Sequence, residues 1–156
     1  MSSKVWEVHP AFCALLYASL VDGYNSKCKV LIPIYLPYIL VPILLHKESR
    51  RSLPKTSASK FHKWLQNEPH IVVGLDKRIN SLEPYISRSS MFLNAQGLLA
   101  VDNEFRISIS NRSKFKKMAK DAEYISEYIE AAKNFGEICG KFNSESTMLT
   151  LLGVKL

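Results

Sequence analysis

The segment VLIPIYLPYILVPILL, residues 30–45, limits what this chain can fold into more than any other stretch. It is 16 residues long, carries no charge, holds prolines at 33, 37 and 42, and runs straight into the basic cluster HKESRR. As a helix it would span about 24 Å, short of a hydrocarbon core of roughly 30 Å. Each proline also removes a backbone hydrogen bond that lipid cannot replace. The run is therefore not a transmembrane helix. It must be buried as proline-interrupted helix or extended chain, part of it in the chain's own core and part against another protein. Ile34, Tyr35, Tyr38, His46 and Arg51 are the residues expected at such a partner interface.

A chain of 156 residues, 47% hydrophobic and 22% charged, is large enough to build a proper core. The expectation is a single domain over 1–156, mainly α with a small β-hairpin. An N-terminal helix and the proline-rich segment fill 9–55, a winged-helix-like centre fills 56–110, and amphipathic helices fill 115–156. Three cysteines, at 13, 28 and 139, cannot all pair and show no Cys-x-x-Cys spacing, which fits thiols in a reducing cytoplasm. The opening MSSKVWEVHP has no apolar h-region, so no secretory signal is expected and the location read from the sequence is cytoplasmic.

Local patterns suggest the elements. HPAFCALLYASLVDG predicts a helix with Pro10 in its first turn, Phe12, Leu15, Leu16 and Leu20 as its stripe and Gly23 as its cap, followed by a polar turn YNSKCK. TSASKFHKWLQNEP predicts a short helix capped by Ser57, with Phe61, Trp64 and Leu65 inward. A second helix runs to a break at Glu83-Pro84, and a third, YISRSSMFLNAQ, ends at Gly97. Two strands then flank a two-residue Asp102-Asn103 turn. Three short helices and a hairpin give the order of a winged helix-turn-helix. From Tyr124 to Phe142 the apolar residues trace one wide helical stripe, with Gly136 and Gly140 placed to admit another backbone.

No catalytic constellation emerges from the residues. The histidines, at 9, 46, 62 and 70, are too widely spaced for a metal pair, and no phosphate-binding or nucleophile-elbow motif occurs. Asp121, Glu123, Glu127 and Glu130 read as a solvated helix face. The expectation is a protein without enzymatic activity, metal or cofactor. Charge says more, since the chain is formally +7. Arg106, Arg112, Lys114, Lys116 and Lys117 cluster in and after the hairpin and are the candidate contacts to nucleic acid or to an acidic partner. Three readings stay open for them: phosphate contact, protein dock, or solvated linker. The helix expected to read bases carries a single cation, Arg88.

HPAFCALLYASLVDGY, ILLHKESRRSLPKT, the stretch from Phe61 to Ser108 and the terminal TMLTLLGVKL together resemble the middle component of bacterial three-component ABC systems. A similar small accessory subunit, LmuC-like, belongs to Lamassu-type defence. The most specific pieces are Leu45-His46-Lys47 with Arg51 and Leu53-Pro54, Trp64-Leu65, and Leu152-Gly153-Val154. His9 stands where such proteins often carry asparagine, a better helix cap. The resemblance implies a noncatalytic scaffold that couples an SMC-like ABC ATPase to an effector, often a nuclease, against phage or plasmids. Its expected partners are that ATPase and that effector, with DNA reached through the complex. The alternative is an autonomous winged-helix DNA-binding regulator.

Overall fold

A computed structural model describes residues 10–155, so the cap expected of His9 lies outside the described residues. At its centre is α1, Pro10–Lys27. A stripe was the expectation, yet the helix is buried on nearly every side, from Phe12 through Val21 and again at Tyr24. It contains almost no charge and can accept neighbours all round. Gly23 does not cap it. The helix runs on through the expected YNSKCK turn, and Gly23 instead meets α7, Ser126–Phe142, where an added Cβ would overlap the Lys133 carbonyl. From the other side Gly136 and Gly140 sit against the carbonyls of Leu20 and Tyr24. Missing side chains on both helices allow their backbones to touch.

The proline-rich run resolves into both expected forms. Ile32–Pro33 is a two-residue strand, β1, and Leu36–Leu45 is a helix, α2. Pro37 lies in the first turn, where no N–H is needed, and Pro42 lies inside the helix. Leu36, Ile39, Leu40, Val41, Ile43 and Leu44 are buried, each contributing about 1.5–3 kcal/mol. Much of the run is thus the protein's own core. A short helix, α3 (Lys47–Arg51), follows, and His46 accepts a bond from Ser49 N at its start.

Phe61–Asn67 forms α4 with Phe61, Trp64 and Leu65 inward as expected, but it begins after Lys60, and Ser57 does not cap it. A 3-10 turn, Pro69–Val72, leads through left-handed Gly74 into α5, Leu75–Ala95. The break expected at Glu83-Pro84 is absent. One helix of 21 residues runs through Pro84. Both Pro84 and Asn80, whose carbonyl the proline frees, are exposed, so water can take the lost bond. The helix does end at Gly97 as expected. Leu98 N donates to Leu93 O and Gly97 N to Asn94 O, with Gly97 at φ +71, a Schellman end closed by two buried leucines.

Leu99–Val101 (β2) and Arg106–Ile109 (β3) form the hairpin, and β1 adds to it, giving an antiparallel sheet in the order β1-β3-β2. Where β1 meets β3 the amide of Asn25 bridges them, accepting from Ile32 N and donating to Ile107 O. The C-terminal region holds α6 (Arg112–Asp121), a 3-10 turn at Glu123–Ile125, α7 and α8 (Glu145–Leu152). Ala132, Phe135, Ile138 and Cys139 of the expected stripe are buried, whereas Tyr124 precedes the helix and is exposed. Among the described residues no helix is long and apolar enough to cross a membrane.

Candidate functional site

The five basic residues do not form one surface. Arg106 is turned inward, its Nη1 donating to Glu145 Oε1 at 2.8 Å and to Leu31 O at 2.7 Å. Arg112 pairs with Asp22 of α1, and Lys114 Nζ donates to Gln96 O at the end of α5. Three of the five thus join elements of the fold. Lys116 and Lys117 are exposed on α6, with Lys120 one turn on. These three have no ion pair among the described residues.

The expected partner-interface residues also divide. Tyr35 OH donates to Glu145 Oε2 at 3.1 Å, so Tyr35 and Arg106 converge on the first turn of α8, and Leu31 O also accepts from Arg106. Tyr38 OH meets Ser87 Oγ of α5 at 3.0 Å. His46 caps α3, and burial beside Arg78 lowers its pKa below the ordinary histidine value. Arg51 is exposed on α3, separated from Ile34 along the chain by the whole of α2. Ile34 alone of the five stands at the open end of the sheet, 36% exposed.

That end is where unused surface gathers. Ile34 N donates to Phe105 O at 2.8 Å, and across the hairpin Val101 stands opposite Ile107. Phe105 and Val101 are 69% and 50% exposed. The hairpin loop is also not the expected two-residue turn. Asp102 N donates to Arg106 O and Phe105 N to Asp102 O, which leaves Asn103, Glu104 and Phe105 in the loop. Asp102 Oδ1 accepts from Glu104 N and Arg106 N and locks this geometry. Such a loop needs a left-handed residue before the second strand, usually glycine. Here it is Phe105, at φ 58, a conformation that costs an L-residue about 1–2 kcal/mol. Val73, Met91 and Tyr124 are as exposed, but each lies on a separate element.

Sequence reasoning placed Phe105 at the start of a strand and missed it as a surface feature. The available signal was an aromatic side chain at a loop position that favours glycine. The loop carries Glu104 and is closed by Asp102 and Arg106. The Arg106 side chain turns back to Glu145, which leaves the Asp102 and Glu104 carboxylates at this end of a chain formally +7.

One side-chain chain has the outline of a nucleophile, base and orienter. Ser52 Oγ lies 2.9 Å from His70 Nε2, and His70 Nδ1 lies 3.5 Å from Glu68 Oε2. The two amides next to the hydroxyl are already used within the fold, Ser52 N by Glu48 O and Leu53 N by Arg50 O, so neither is free to hold an oxyanion. The Ser52 hydroxyl also bonds Glu48 O, and Trp64 Nε1 donates to Ser52 O, so the cluster ties α3 to α4 and the 3-10 turn. Among the described residues no group of three or more His, Cys, Asp or Glu side chains could hold a metal.

Residues 7–156 match the family described as the ABC-three component (ABC-3C) system Middle Component 3. Comparison with curated proteins and with solved structures returned no match.

Proposed function

Because the chain belongs to the Middle Component 3 family of ABC-three component systems, we propose that it is a noncatalytic accessory subunit. On this reading it couples an SMC-like ABC ATPase to an effector, a nuclease, in defence against phage or plasmids, as its LmuC-like resemblance implies. The observation that carries the proposal is the sheet end, where Ile34, Val101 and Phe105 expose apolar surface together, whereas Val73, Met91 and Tyr124 are exposed on separate parts of the chain. Exposed apolar side chains grouped in this way suit a protein partner.

The path of the chain supports a winged-helix architecture, differently placed from the sequence expectation. Helix α1, strand β1, helix α2, helix α5 and the hairpin follow in that order, α1, α2 and α5 pack on one another, and the sheet runs β1-β3-β2. Residues 46–74 are then an insertion between the second and third helices. In a DNA-binding member α5 would read bases and the hairpin would touch phosphates. Its exposed positions mix Asp76 and Glu83 with Lys77 and Arg88, and the hairpin loop carries Asp102 and Glu104. Carboxylates on the wing repel phosphate, which favours the subunit reading over the autonomous regulator.

Coexpression with the ATPase and effector of the same system tests this. The expected result is a complex that survives purification. A well-behaved monomer that copurifies with neither, and binds duplex DNA tightly by itself, would establish the regulator instead.

A further inference from the structure

We infer that the hairpin loop is a preformed docking knob, with Phe105 as its anchor, and that its occupant is an apolar pocket rimmed by lysine or arginine on a partner subunit. The inference rests on the accessory-subunit reading and specifies which surface serves it and what chemistry it meets. Three independent observations point the same way.

The first is strain without internal return. Phe105 holds φ 58 yet leaves 69% of its surface in water, so the isolated fold gains little from having an aromatic ring there. Strained residues persist where the surroundings over-determine them, and they gather at functional sites. The loop is over-determined: Asp102 Oδ1 holds two backbone N–H groups, and Phe105 O accepts from Ile34 N. The backbone that carries the ring is fixed before anything binds, which lowers the ordering cost of association.

The second is shape. Ile34, just past β1, bonds the Phe105 backbone, and Val101, at the end of β2, stands opposite Ile107 two residues further on. An exposed aromatic and two exposed aliphatic residues thus share the hairpin end of the sheet, a composition suited to an interface anchor.

The third is charge. Glu104 makes only a long ion pair, Oε2 to Arg106 Nε at 4.0 Å, and its side chain stays 80% exposed, while Arg106 Nη1 is held by Glu145 at 2.8 Å. Asp102 and Glu104 therefore present an acidic rim on a basic protein. A phosphate backbone would be repelled by that rim, whereas a cationic protein surface would be attracted and steered onto it.

The test uses the full chain coexpressed with the ATPase and effector, comparing wild type with Phe105→Asn and Glu104→Lys. Asparagine tolerates the left-handed conformation. Isolated Phe105→Asn should melt at or above the wild-type temperature while recovering about ten-fold less partner. Glu104→Lys should also reduce recovery, with a smaller difference from wild type at high salt. If both variants recover partner within about two-fold of wild type, the knob is overturned and the accessory-subunit reading stands. If wild type recovers no partner, that reading falls and the inference falls with it. A lower melting temperature for Phe105→Asn, with recovery reduced in proportion, would make Phe105 a structural residue and overturn the inference. Loss of DNA affinity alone would assign the loop to nucleic acid. Loss of self-association in the isolated chain would move the pocket to a second copy, where Lys47, Arg50 and Arg51 border Tyr128 and Ala131. Either result overturns the partner-subunit assignment.

Discussion

Arg106 Nη1 lies 2.8 Å from Glu145 Oε1, joining the second strand of the hairpin to the first turn of the last helix. The Glu145 carboxylate raises the Arg106 pKa above its ordinary value, and its other oxygen accepts from Tyr35. The pair is only partly exposed, so a charge-assisted bond here is stronger than a surface ion pair. Arg106→Ala or Glu145→Ala should each cost about 1–3 kcal/mol in urea unfolding. The double variant should cost less than the sum of the two. Additive losses would mean the two side chains act independently.

Arg106 also shows where sequence and structure part. A row of cations is visible in the sequence, but the carboxylates that neutralise Arg106 and Arg112 lie 39 and 90 residues away. Local patterns did better where the physics was local. The Gly97 end, the inward faces of Phe61, Trp64 and Leu65, and the burial of Phe135, Ile138 and Cys139 were all readable. Pro84 was misread because a proline on a solvent-facing turn can be tolerated by a helix whose opposite face is packed. Strand β1 was hidden because two residues show no alternation. Its place is set by β3 and by Asn25. Phe105 escaped notice because its peculiarity is a backbone angle.

Gly136 offers a sharp packing test. A Cβ there would overlap the Leu20 carbonyl, which belongs to helical backbone and cannot swing aside. Gly136→Ala should destabilise by about 1–3 kcal/mol, although alanine favours helix more than glycine does. A more stable variant would mean that α1 and α7 are further apart than described.

Tyr17 OH is buried and has no hydrogen-bond partner among the described residues, and burial pushes its pKa well above the ordinary tyrosine value. Tyr17→Phe removes an unsatisfied polar atom and keeps the ring. Stability should be unchanged or slightly higher in thermal unfolding, because a desolvated hydroxyl without a partner contributes only cost. A loss above about 1 kcal/mol would reveal a bonded hydroxyl.

His46 gives the fold a pH dependence. Its Nδ1 accepts from Ser49 N, which requires that nitrogen to be unprotonated. Burial, then Arg78, lower its pKa from 6.5, with His70 and Arg50 acting the same way and Glu48 opposing them. Because the folded pKa is depressed, the unfolded chain takes up the proton first. Stability contributed by neutral His46 is present above pH 6.5 and is lost as pH falls through the lower folded value. His46→Asn keeps a capping oxygen and does not titrate. Its unfolding midpoint should change less than wild type between pH 7 and about pH 5. Parallel curves for the two proteins would show that the cap is not coupled to protonation.

Lys116, Lys117 and Lys120 now form the clean test of DNA contact. Changing Arg112 to Glu would place two carboxylates together at Asp22, and changing Lys114 would remove its bond to Gln96 O, so loss of binding there could reflect loss of fold. The three α6 lysines avoid both problems. Lys116→Glu, Lys117→Glu and Lys120→Glu together should leave the melting temperature nearly unchanged, since surface substitutions usually shift stability by about 0.5 kcal/mol or less. If they touch phosphates in the assembled complex, affinity should fall for all duplex sequences alike, and the slope of log K against log salt should flatten by about 2–3. If α6 instead docks an acidic protein, the triple variant should leave the complex while DNA binding by the remaining subunits persists. The geometry favours a third outcome, in which neither assembly nor DNA affinity changes. Three lysines on one short helix, without the arginines and hairpin loop that would extend them into a groove-spanning surface, make a solvated face. A flattened salt slope in the intact complex would overturn that expectation.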